Sequence, residues 1–490
     1  MKNVIYNPYL PEYEYIPDGE PHVFGDRVYI YGSHDRFQGK KFCMNHYVCY
    51  SADVSDLTKW DYEGVIYRND QDPRMTNGDH QLWAPDVVQG KDGRYYLYYC
   101  PDDKILSIGV AVCDSPAGKY EFYGIVKDKD GRPIGEREGD TYSFDPGVFI
   151  DDDGRIFLYS GNGPRTKGAI GKQPKASKVM ELEEDMITIK VEPRKLLPTL
   201  GEAKGTGFEG HEFFEASSIR KIDGRYYLVY SSVALHELCY AVSDKPDEGF
   251  QYGGVVVSNA DHFESDPNPR MYNCYGNNHG GIECINGEYY IFYHRQTNRS
   301  MFSRQGCAER IKIAPDGSIA QVELTSQGLY GKPLPAEGTY PASMACRLYG
   351  KREPEISFGM LMRKKHPYLT QDGEDFEPEK HRLSDGTIDL TLAPRQYVKN
   401  CKDGLQAVYK YFEANHINTM SVRVRGKMNG QLLVFAQNDK VKKKIGQIML
   451  SSSKEWKNFV GNVELPEGRF ALIFHYCGNG RFDFLEFSFE

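Results

Sequence analysis

Three acidic side chains, Glu20, Asp145 and Glu215, stand a few residues before three copies of one repeated aromatic segment. Two carboxyl groups that face one another can cleave a glycosidic bond, because one protonates the leaving oxygen while the other activates water or attacks the sugar. Glu215 directly follows Phe213 and Phe214, so partial desolvation would raise its pKa toward that of a general acid. Asp145 is suited to tuning that acid, and Glu20 to acting as the base.

Asp18 competes with Glu20 for the role of base, because it stands only two residues earlier. If both lie on one strand, alternation puts their side chains on the same face, and the sequence leaves the base open between them. Each acid taken alone is also explained as a strand-end carboxylate that binds backbone N–H groups. The matched positions in separate repeats favour the catalytic interpretation.

The repeated segment is a short alternation of aromatic and aliphatic residues, and it predicts the element that positions these acids. Its five copies begin roughly 60–70 residues apart, the spacing of propeller blades, and four of them follow an Asp-Gly or Asn-Gly turn. If the repeated segment is the second strand of each blade, the preceding residues lie on the innermost strand and meet at one end of the axis. The copies occupy residues 27–31, 94–98, 155–159, 225–229 and 288–292.

The fold class predicted is all-β, with two domains. Residues 1–340 form a five-bladed β-propeller of four strands per blade, because third and fourth strand patterns follow several copies of the repeated segment. The repeat then stops, and the boundary is expected within residues 335–345. Residues 346–490, about 145 residues, are the right size for one β-sandwich, here expected to be jelly-roll-like.

Composition narrows the class of partner. The net charge of −9 argues against nucleic acid, whose recognition depends on clustered Lys and Arg, and favours a neutral oligosaccharide. No window approaches the roughly 18 apolar residues of a membrane span, so no membrane partner is expected. The start of the chain lacks the apolar run of a signal peptide, which predicts a cytoplasmic location. Eleven scattered cysteines without a CxxC pair predict free thiols. The oligomeric state is left open.

An ordered set of short motifs carries a family resemblance. The chain resembles glycoside hydrolase family 43, whose members are five-bladed propellers that act with inversion, mainly on α-L-arabinofuranosides and β-D-xylosides. The match covers roughly the first 340 residues. The matching segments are residues 7–8, 20–21, 83–87, 144–146 with 151–154, 215–216, 279–281 and 293–295.

The resemblance implies a role for each acid. Glu215 corresponds to the general acid, Asp145 to the residue that tunes and orients it, and Glu20 to the general base. The family usually has Asp immediately before that Pro, whereas this chain has Glu20-Pro21. The extra methylene narrows the gap for water, about 6.5–9.5 Å between carboxyls in an inverting enzyme, so either the backbone is set back or Asp18 takes the role.

The same resemblance suggests metal and substrate residues. His279 matches a histidine on the propeller axis that is associated with a structural calcium, and no organic cofactor is expected. A buried, hydrogen-bonded histidine is the alternative, since calcium prefers six to eight oxygen ligands. Trp83 is expected to stack on sugar or form the pocket wall. Phe37, Phe214 and Arg295 are weaker candidates for lining the pocket.

The C-terminal region resembles a family 6-like carbohydrate-binding module, through motifs that include Trp456 and Tyr476. Sandwich modules bind sugars by stacking exposed aromatics, yet the same aromatics can pack a core. A structural lid against the propeller is the alternative interpretation.

Together these features predict an exo-acting, inverting α-L-arabinofuranosidase or β-xylosidase that acts on plant-derived oligosaccharides. The unusual Glu20 leaves two alternatives. One is a galactanase or galactofuranosidase that acts on arabinogalactan side chains, and the other is a non-catalytic sugar-binding propeller with a degenerate base.

Overall fold

The computed structural model describes residues 4–75, 80–102, 107–164, 175–354, 366–414, 417–438 and 441–490. The described chain is built from 28 β-strands and four short 3-10 helices, which confirms the all-β prediction. Among these residues no helix is long and apolar enough to cross a membrane.

Five antiparallel sheets follow one another along the chain and form the blades of a propeller. Blade one contains β1 (Glu20–Phe24), β2 (Arg27–Tyr31), β3 (Tyr47–Asp53) and β4 (Asp61–Tyr67). Blade two contains β5 (Leu82–Gln89), β6 (Tyr95–Pro101), β7 (Gly109–Cys113) and β8 (Glu121–Ile125). Blade three contains β9 (Gly147–Ile150), β10 (Ile156–Gly161), β11 (Ser177–Leu182) and β12 (Ile189–Lys195).

Blade four has the same four-strand order, whereas blade five differs. Blade four contains β13 (Phe213–Ile222), β14 (Arg225–Ser232), β15 (Glu237–Ser243) and β16 (Gln251–Ser258). Blade five contains β17 (Ile282–Ile285), β18 (Glu288–Gln296) and β19 (Arg304–Ile311). In the described residues it has three strands, so the prediction of four strands in every blade is wrong for this one.

The N-terminal segment lies against the outer edge of blade five. The Tyr9 N–H donates to the Gly306 carbonyl at 3.2 Å. The Asn7 side chain exchanges two hydrogen bonds of 3.0 Å with the backbone of Ala308. These contacts satisfy part of the β19 edge, so the start of the chain covers the blade that would otherwise have an open side.

The repeated segment is the second strand of every blade, as its pattern predicts. The first and second strands of each blade are joined by tight turns, and the glycines in these turns have positive φ, as at Gly93 and Gly154 with φ of 83°. Tyrosines of the repeat are buried between blades, where their hydroxyls find partners. Tyr31 donates to the Pro116 carbonyl at 2.8 Å. The repeat therefore supplies apolar packing together with a satisfied polar end.

The C-terminal domain is one continuous nine-stranded sheet. It contains β20 (Leu334–Pro335), β21 (Gly338–Pro341), β22 (Arg347–Tyr349), β23 (Tyr368–Gln371), β24 (Gln396–Cys401), β25 (Gln406–Ala414), β26 (Thr419–Asn438), β27 (Val441–Asn462) and β28 (Gly468–Phe489). Ten residues of a straight strand span roughly 33 Å. Within β28, however, the rings of Phe474 and Phe484 are 5.5 Å apart. The sheet therefore bends over on itself around a phenylalanine-rich core, as the expected sandwich requires.

Strand pairing places the start of this domain earlier than residue 346. β20 pairs in parallel with β25, and β21 pairs with β28, so residues 334–341 belong to the C-terminal sheet. The two domains also share a buried apolar cluster, in which Val408 and Ile473 pack with propeller residues such as Val257 and Leu324. The domains are thus held together by packing as well as by the chain that joins them.

Candidate active site

The first strands of four blades, together with the residues just before them, bring four of the predicted residues to one end of the propeller axis. Asp18 precedes β1, Asp145 precedes β9, Glu215 lies on β13 and His279 precedes β17. Asp145 Oδ2 lies 3.6 Å from His279 Nδ1, and the charges of Glu215 and Asp18 both act on Asp145. These four side chains therefore form a single buried cluster.

Glu215 and Asp145 form a like-charged pair. The Asp145 side chain is buried, and burial together with the neighbouring Glu215 and Asp18 raises its pKa well above the ordinary carboxyl range. Two adjacent carboxyls in a low-dielectric site do not both ionise readily, so the pair holds one proton more tightly than an isolated carboxyl does. This is the protonation state that a general acid and its tuning partner require.

Local backbone geometry aims Glu215 into the cluster. The pairing of β13 with β14 shifts register on both sides of Glu215, and Ala216 has a φ of 69°. Such an irregularity re-aims a side chain from the plane of the sheet. Asn162 Nδ2 donates to Glu215 Oε2 at 3.0 Å, and Lys175 Nζ donates to Asn162 Oδ1 at 2.8 Å.

Asp18 is held in its ionised form. Burial alone would raise its pKa, but the Arg304 guanidinium and the His294 ring outweigh burial and hold the pKa of this carboxyl well below its usual range. Arg304 Nη1 donates to Asp18 Oδ1 at 2.9 Å, and His294 Nδ1 lies 3.1 Å from the same oxygen. His294 Nε2 donates in turn to the Asn277 carbonyl at 2.7 Å, which fixes the ring.

Glu20 has different neighbours. Ser218 Oγ donates to Glu20 Oε1 at 2.6 Å, and Arg220 Nη1 lies 3.0 Å from the same oxygen. Burial raises the pKa of Glu20 to about 7, although Arg220 opposes this shift. The nearby charges that act most strongly on Glu20 are those of Arg220, Asp86 and His22, and not those of Asp145 or Glu215.

The expectation that Asp18 and Glu20 share one face is wrong. The strand begins at Glu20, so Asp18 lies outside the region where side chains alternate. Asp18 also has a φ of 56°, a left-handed turn conformation, and Gly19 separates it from the strand. The turn directs Asp18 toward Arg304 and His294, whereas Glu20 points along β1 toward Ser218 and Arg220.

His279 is a neutral imidazole with few metal-binding neighbours. Burial lowers the pKa of His279 to about 4. Among the described residues, two groups of three side chains bring potential metal-ligand atoms within 4.8 Å of one another, and His279 belongs to neither. One of these groups, Glu20, His22 and Asp86, already contains the His22–Asp86 pair at 2.7 Å and is adjacent to Arg220. The residues around His279 therefore do not by themselves fit a calcium ion, which takes six to eight oxygen ligands.

The predicted aromatic residues differ in how much surface they present. Trp83 is half-buried and meets Phe144 edge to face, with ring centroids 5.3 Å apart. Phe37 is buried and stacks on Tyr15 at 5.6 Å, and Phe214 is buried as well. Trp83 thus retains the ring surface that sugar stacking needs.

Arg295 is not part of the cluster, which corrects the prediction that it lines the pocket. It is buried, and its Nη1 donates to the Ala345 carbonyl at 3.0 Å, at the junction with the C-terminal domain. Strand alternation explains the error, because adjacent residues of β18 face opposite sides and it is His294 that faces Asp18. The arginine of the site is Arg304, the first residue of β19, and no motif in the sequence marks it.

In chemical terms the site combines an ionised carboxylate with a carboxyl pair that holds a proton. Asp18 can accept a proton from water, and Glu215 can donate one to a leaving oxygen. Glycoside hydrolysis with inversion requires one group in each of these two roles, a base and an acid.

Comparison with known proteins agrees with this chemistry. The family described as glycosyl hydrolases family 43 matches residues 13–319. A xylosidase/arabinosidase from Thermoclostridium stercorarium is 48% identical over 487 residues, which cover 98% of this chain and 98% of that protein. A xylosidase/arabinosidase from Bacteroides ovatus is 32% identical over 312 residues, covering 58% of this chain and 87% of the relative.

Solved structures share the architecture. A GH43_1 enzyme from Xanthomonas citri, complexed with xylotriose, superimposes with a TM-score of 0.52 at 27% identity, covering 66% of this chain and 94% of the other. An arabinoxylan arabinofuranohydrolase from Bacillus subtilis superimposes with a TM-score of 0.53 over 99% of this chain and 97% of the other. At 20% identity, this second likeness supports the fold alone.

The family match begins before the first blade and extends past the last strand of the fifth, and so includes all four clustered residues. The chain belongs to glycosyl hydrolase family 43.

Proposed function

We propose that this chain is an exo-acting, inverting glycosidase that releases xylose or arabinofuranose from the ends of plant-derived oligosaccharides. The observation that carries the proposal is the pairing of an ionised Asp18 with the proton-holding Glu215 and Asp145 in one cluster. The 48% identity to a xylosidase/arabinosidase over nearly the whole chain supports the choice of sugars.

In this proposal Glu215 is the general acid and Asp145 tunes it. The two carboxyls hold one proton more tightly than an isolated carboxyl does, because a second negative charge beside the first is unfavourable. Asn162 donates to one Glu215 oxygen, which leaves the carboxyl oriented for transfer of its proton to the glycosidic oxygen.

Asp18, rather than Glu20, is the general base. A base must be ionised when water arrives, and Arg304 keeps Asp18 in that state, whereas the pKa of Glu20 is raised to about 7. Glu20 also has both Ser218 and Arg220 on one of its oxygens. We therefore assign Glu20 a structural role on the propeller axis, next to the reaction centre.

The burial of the cluster favours a terminal sugar as the substrate. Asp18 and Glu215 are 4% and 8% exposed, so the reacting groups are accessible to a single sugar ring more readily than to the middle of a chain. Trp83 supplies a flat apolar face beside Phe144, and such faces stack on sugar rings. The relatives from X. citri and from a compost metagenome were solved with xylotriose.

Calcium on the axis and sugar binding by the C-terminal domain stay predictions. The compost enzyme is described in a calcium-free form, with a TM-score of 0.50 at 28% identity. Here His279 offers one nitrogen, so a calcium would depend mainly on water ligands. A change in thermal midpoint on addition of calcium to EDTA-treated protein would support the metal, and an unchanged midpoint would count against it. For the C-terminal domain, titration with xylo-oligosaccharides of the E215Q protein, which is expected to hydrolyse them slowly, tests for a second binding event.

A set of 4-nitrophenyl glycosides tests the activity. We expect turnover of the β-D-xyloside and the α-L-arabinofuranoside, and NMR should detect the inverted anomer first. Turnover of only the β-D-galactofuranoside would favour the alternative sugar, for which a 27% identical relative from Aspergillus niger is known. No turnover of any of these glycosides would favour a sugar-binding propeller.

A further inference from the structure

The C-terminal domain contacts the propeller next to the active site through its anchor segment, residues 368–381. This segment lies against the catalytic loop, residues 33–45, which connects β2 to β3. Asp375 Oδ1 accepts a hydrogen bond from the Phe37 N–H at 2.7 Å, and its Oδ2 accepts one from Asn45 Nδ2 at 2.9 Å. One carboxylate of the second domain thus holds both halves of the catalytic loop.

The ring of Phe37 is held by the second domain as well. It stacks on Tyr15 with ring planes 26° apart. The Tyr15 hydroxyl donates to Gln371 Oε1 at 3.1 Å and accepts from Gln396 Nε2 at 2.8 Å. Both glutamines belong to the C-terminal sheet. The hydrogen bond to the Phe37 backbone and the position of the ring that stacks on Phe37 therefore both depend on that domain.

The catalytic loop also carries Asp35, the partner of Arg304. Asn45 Nδ2 donates to the Asp35 carbonyl at 3.3 Å. The Asp35 carboxylate receives Arg304 Nε at 2.9 Å and Nη2 at 3.1 Å. Arg304 Nη1 then donates to Asp18 at 2.9 Å. Hydrogen bonds therefore connect Asp375 to Asp18 through Asn45, Asp35 and Arg304.

Because the site is buried, the ionisation of Asp18 depends strongly on the position of Arg304. Arg304 and Asp35 are each 1% exposed, so little water screens the charges. The described titratable or charged groups that interact with Asp18 are Arg304, His294, His279, Asp145, Cys43 and Tyr47. Arg304 is the strongest of these in keeping Asp18 ionised. A displacement of the catalytic loop would move Asp35. The Arg304 guanidinium would move with it, because two of its nitrogens donate to the Asp35 carboxylate.

We propose that Asp375 of the C-terminal domain is a positioning residue for catalysis, which holds the catalytic loop so that Arg304 stays against Asp18. The catalytic unit then includes both domains, and the second domain does more than cover the propeller. This inference rests on the proposed role of Asp18 as the base.

The test compares D375A with D375N and with the matched control D372N in the full-length protein. Asp372 lies on the same anchor segment, but it pairs with Arg425 and Tyr397 inside the C-terminal domain. We expect kcat on xylobiose to fall about 10- to 100-fold in D375A, since a small misplacement of a catalytic group has effects of that size. The acid limb of kcat/KM should move to higher pH in D375A. D375N, which still accepts from the Phe37 N–H, should lie between D375A and wild type, and D372N should match wild type.

A wild-type kcat and acid limb in folded D375A would overturn the proposal. If D375A does not fold, N45A removes the propeller side of the same contact, and wild-type kinetics in folded N45A would overturn it equally. Failure of this proposal can be distinguished from failure of the proposed function. Full activity of D18N would refute the assignment of the base, whereas an unaffected D375A beside an inactive D18N would refute only the positioning role.

Discussion

Arg304 lies between Asp18 and Asp35 and donates to both carboxylates, at 2.9 Å through Nη1 to Asp18 and at 2.9 Å through Nε to Asp35. This arrangement resolves how a fully buried aspartate stays ionised next to a carboxyl pair that must hold a proton. The guanidinium of Arg304 thus pairs with one carboxylate at the reaction centre and with one on the catalytic loop.

Replacing Arg304 should affect both activity and stability. In R304M the pKa of Asp18 should rise because its strongest depressing charge is lost, so the acid limb of kcat/KM should move to higher pH, and kcat/KM should fall at least about 100-fold. Two buried carboxylates lose their counter-charge, which costs about 3–5 kcal/mol. Urea unfolding together with a pH profile checks both effects. R304K, which keeps the charge without the fork, should be intermediate, and an unshifted acid limb in R304M would contradict this explanation.

Replacing Glu215 should slow reactions in proportion to their need for an acid. In E215Q the hydrolysis of xylobiose should fall by about 10²–10⁴, the usual contribution of a general acid. Hydrolysis of 4-nitrophenyl β-D-xyloside should fall less, because the nitrophenolate leaves without being protonated. Steady-state kinetics on both substrates measure the difference. Equal losses on the two would argue that Glu215 has another role.

Replacing Glu20 should change stability with pH. The folded-state pKa of Glu20 is about 7, above its ordinary value of 4.5, so folding disfavours the charged form. The penalty is absent below about pH 4.5, grows as pH rises and levels off above about pH 7, where it reaches about 3 kcal/mol. E20Q removes this penalty, so its stability relative to wild type should increase across that window in urea unfolding. A difference independent of pH would contradict the raised pKa.

Replacing Trp83 should weaken sugar binding. W83A removes the half-buried ring beside Phe144, and we expect KM for xylobiose to rise about tenfold, equal to about 1.4 kcal/mol. W83F should retain most of the affinity. Trp456 is the control, because it lies in the C-terminal domain under Arg425, 4.3 Å from the ring centroid. W456F should leave KM unchanged, and an unchanged KM in W83A would remove Trp83 from the binding site.

The blades were predictable because each copy of the repeat folds locally. Turn glycines and alternating aromatics fix a hairpin within one blade, and the matched spacing then brings Asp145, Glu215 and His279 to one end of the axis. The three-stranded fifth blade was not predictable, because its edge is covered by a segment about 300 residues distant in sequence, as in the Asn7 to Ala308 contact.

The arrangement around the proposed base, Asp18, was not predictable for a related reason. Alternation applies within a strand, and Asp18 lies in a left-handed turn just outside one. Arg304 and Asp35 are separated by 269 residues, and neither stands in a recognisable motif. Arg295 does lie in a motif, but its Nη1 donates to the backbone carbonyl of Ala345.

Chemical rescue by azide tests whether Asp18 is the base. Azide attacks sugars without losing a proton, so it can replace both water and base at a site where the missing carboxylate leaves space. We expect D18A to be nearly inactive on 4-nitrophenyl β-D-xyloside and to recover turnover with azide, giving a xylosyl azide of inverted configuration by NMR. E20A should show no such rescue. Rescue of E20A with none in D18A would show that Glu20 is the base and would contradict the assignment of Asp18.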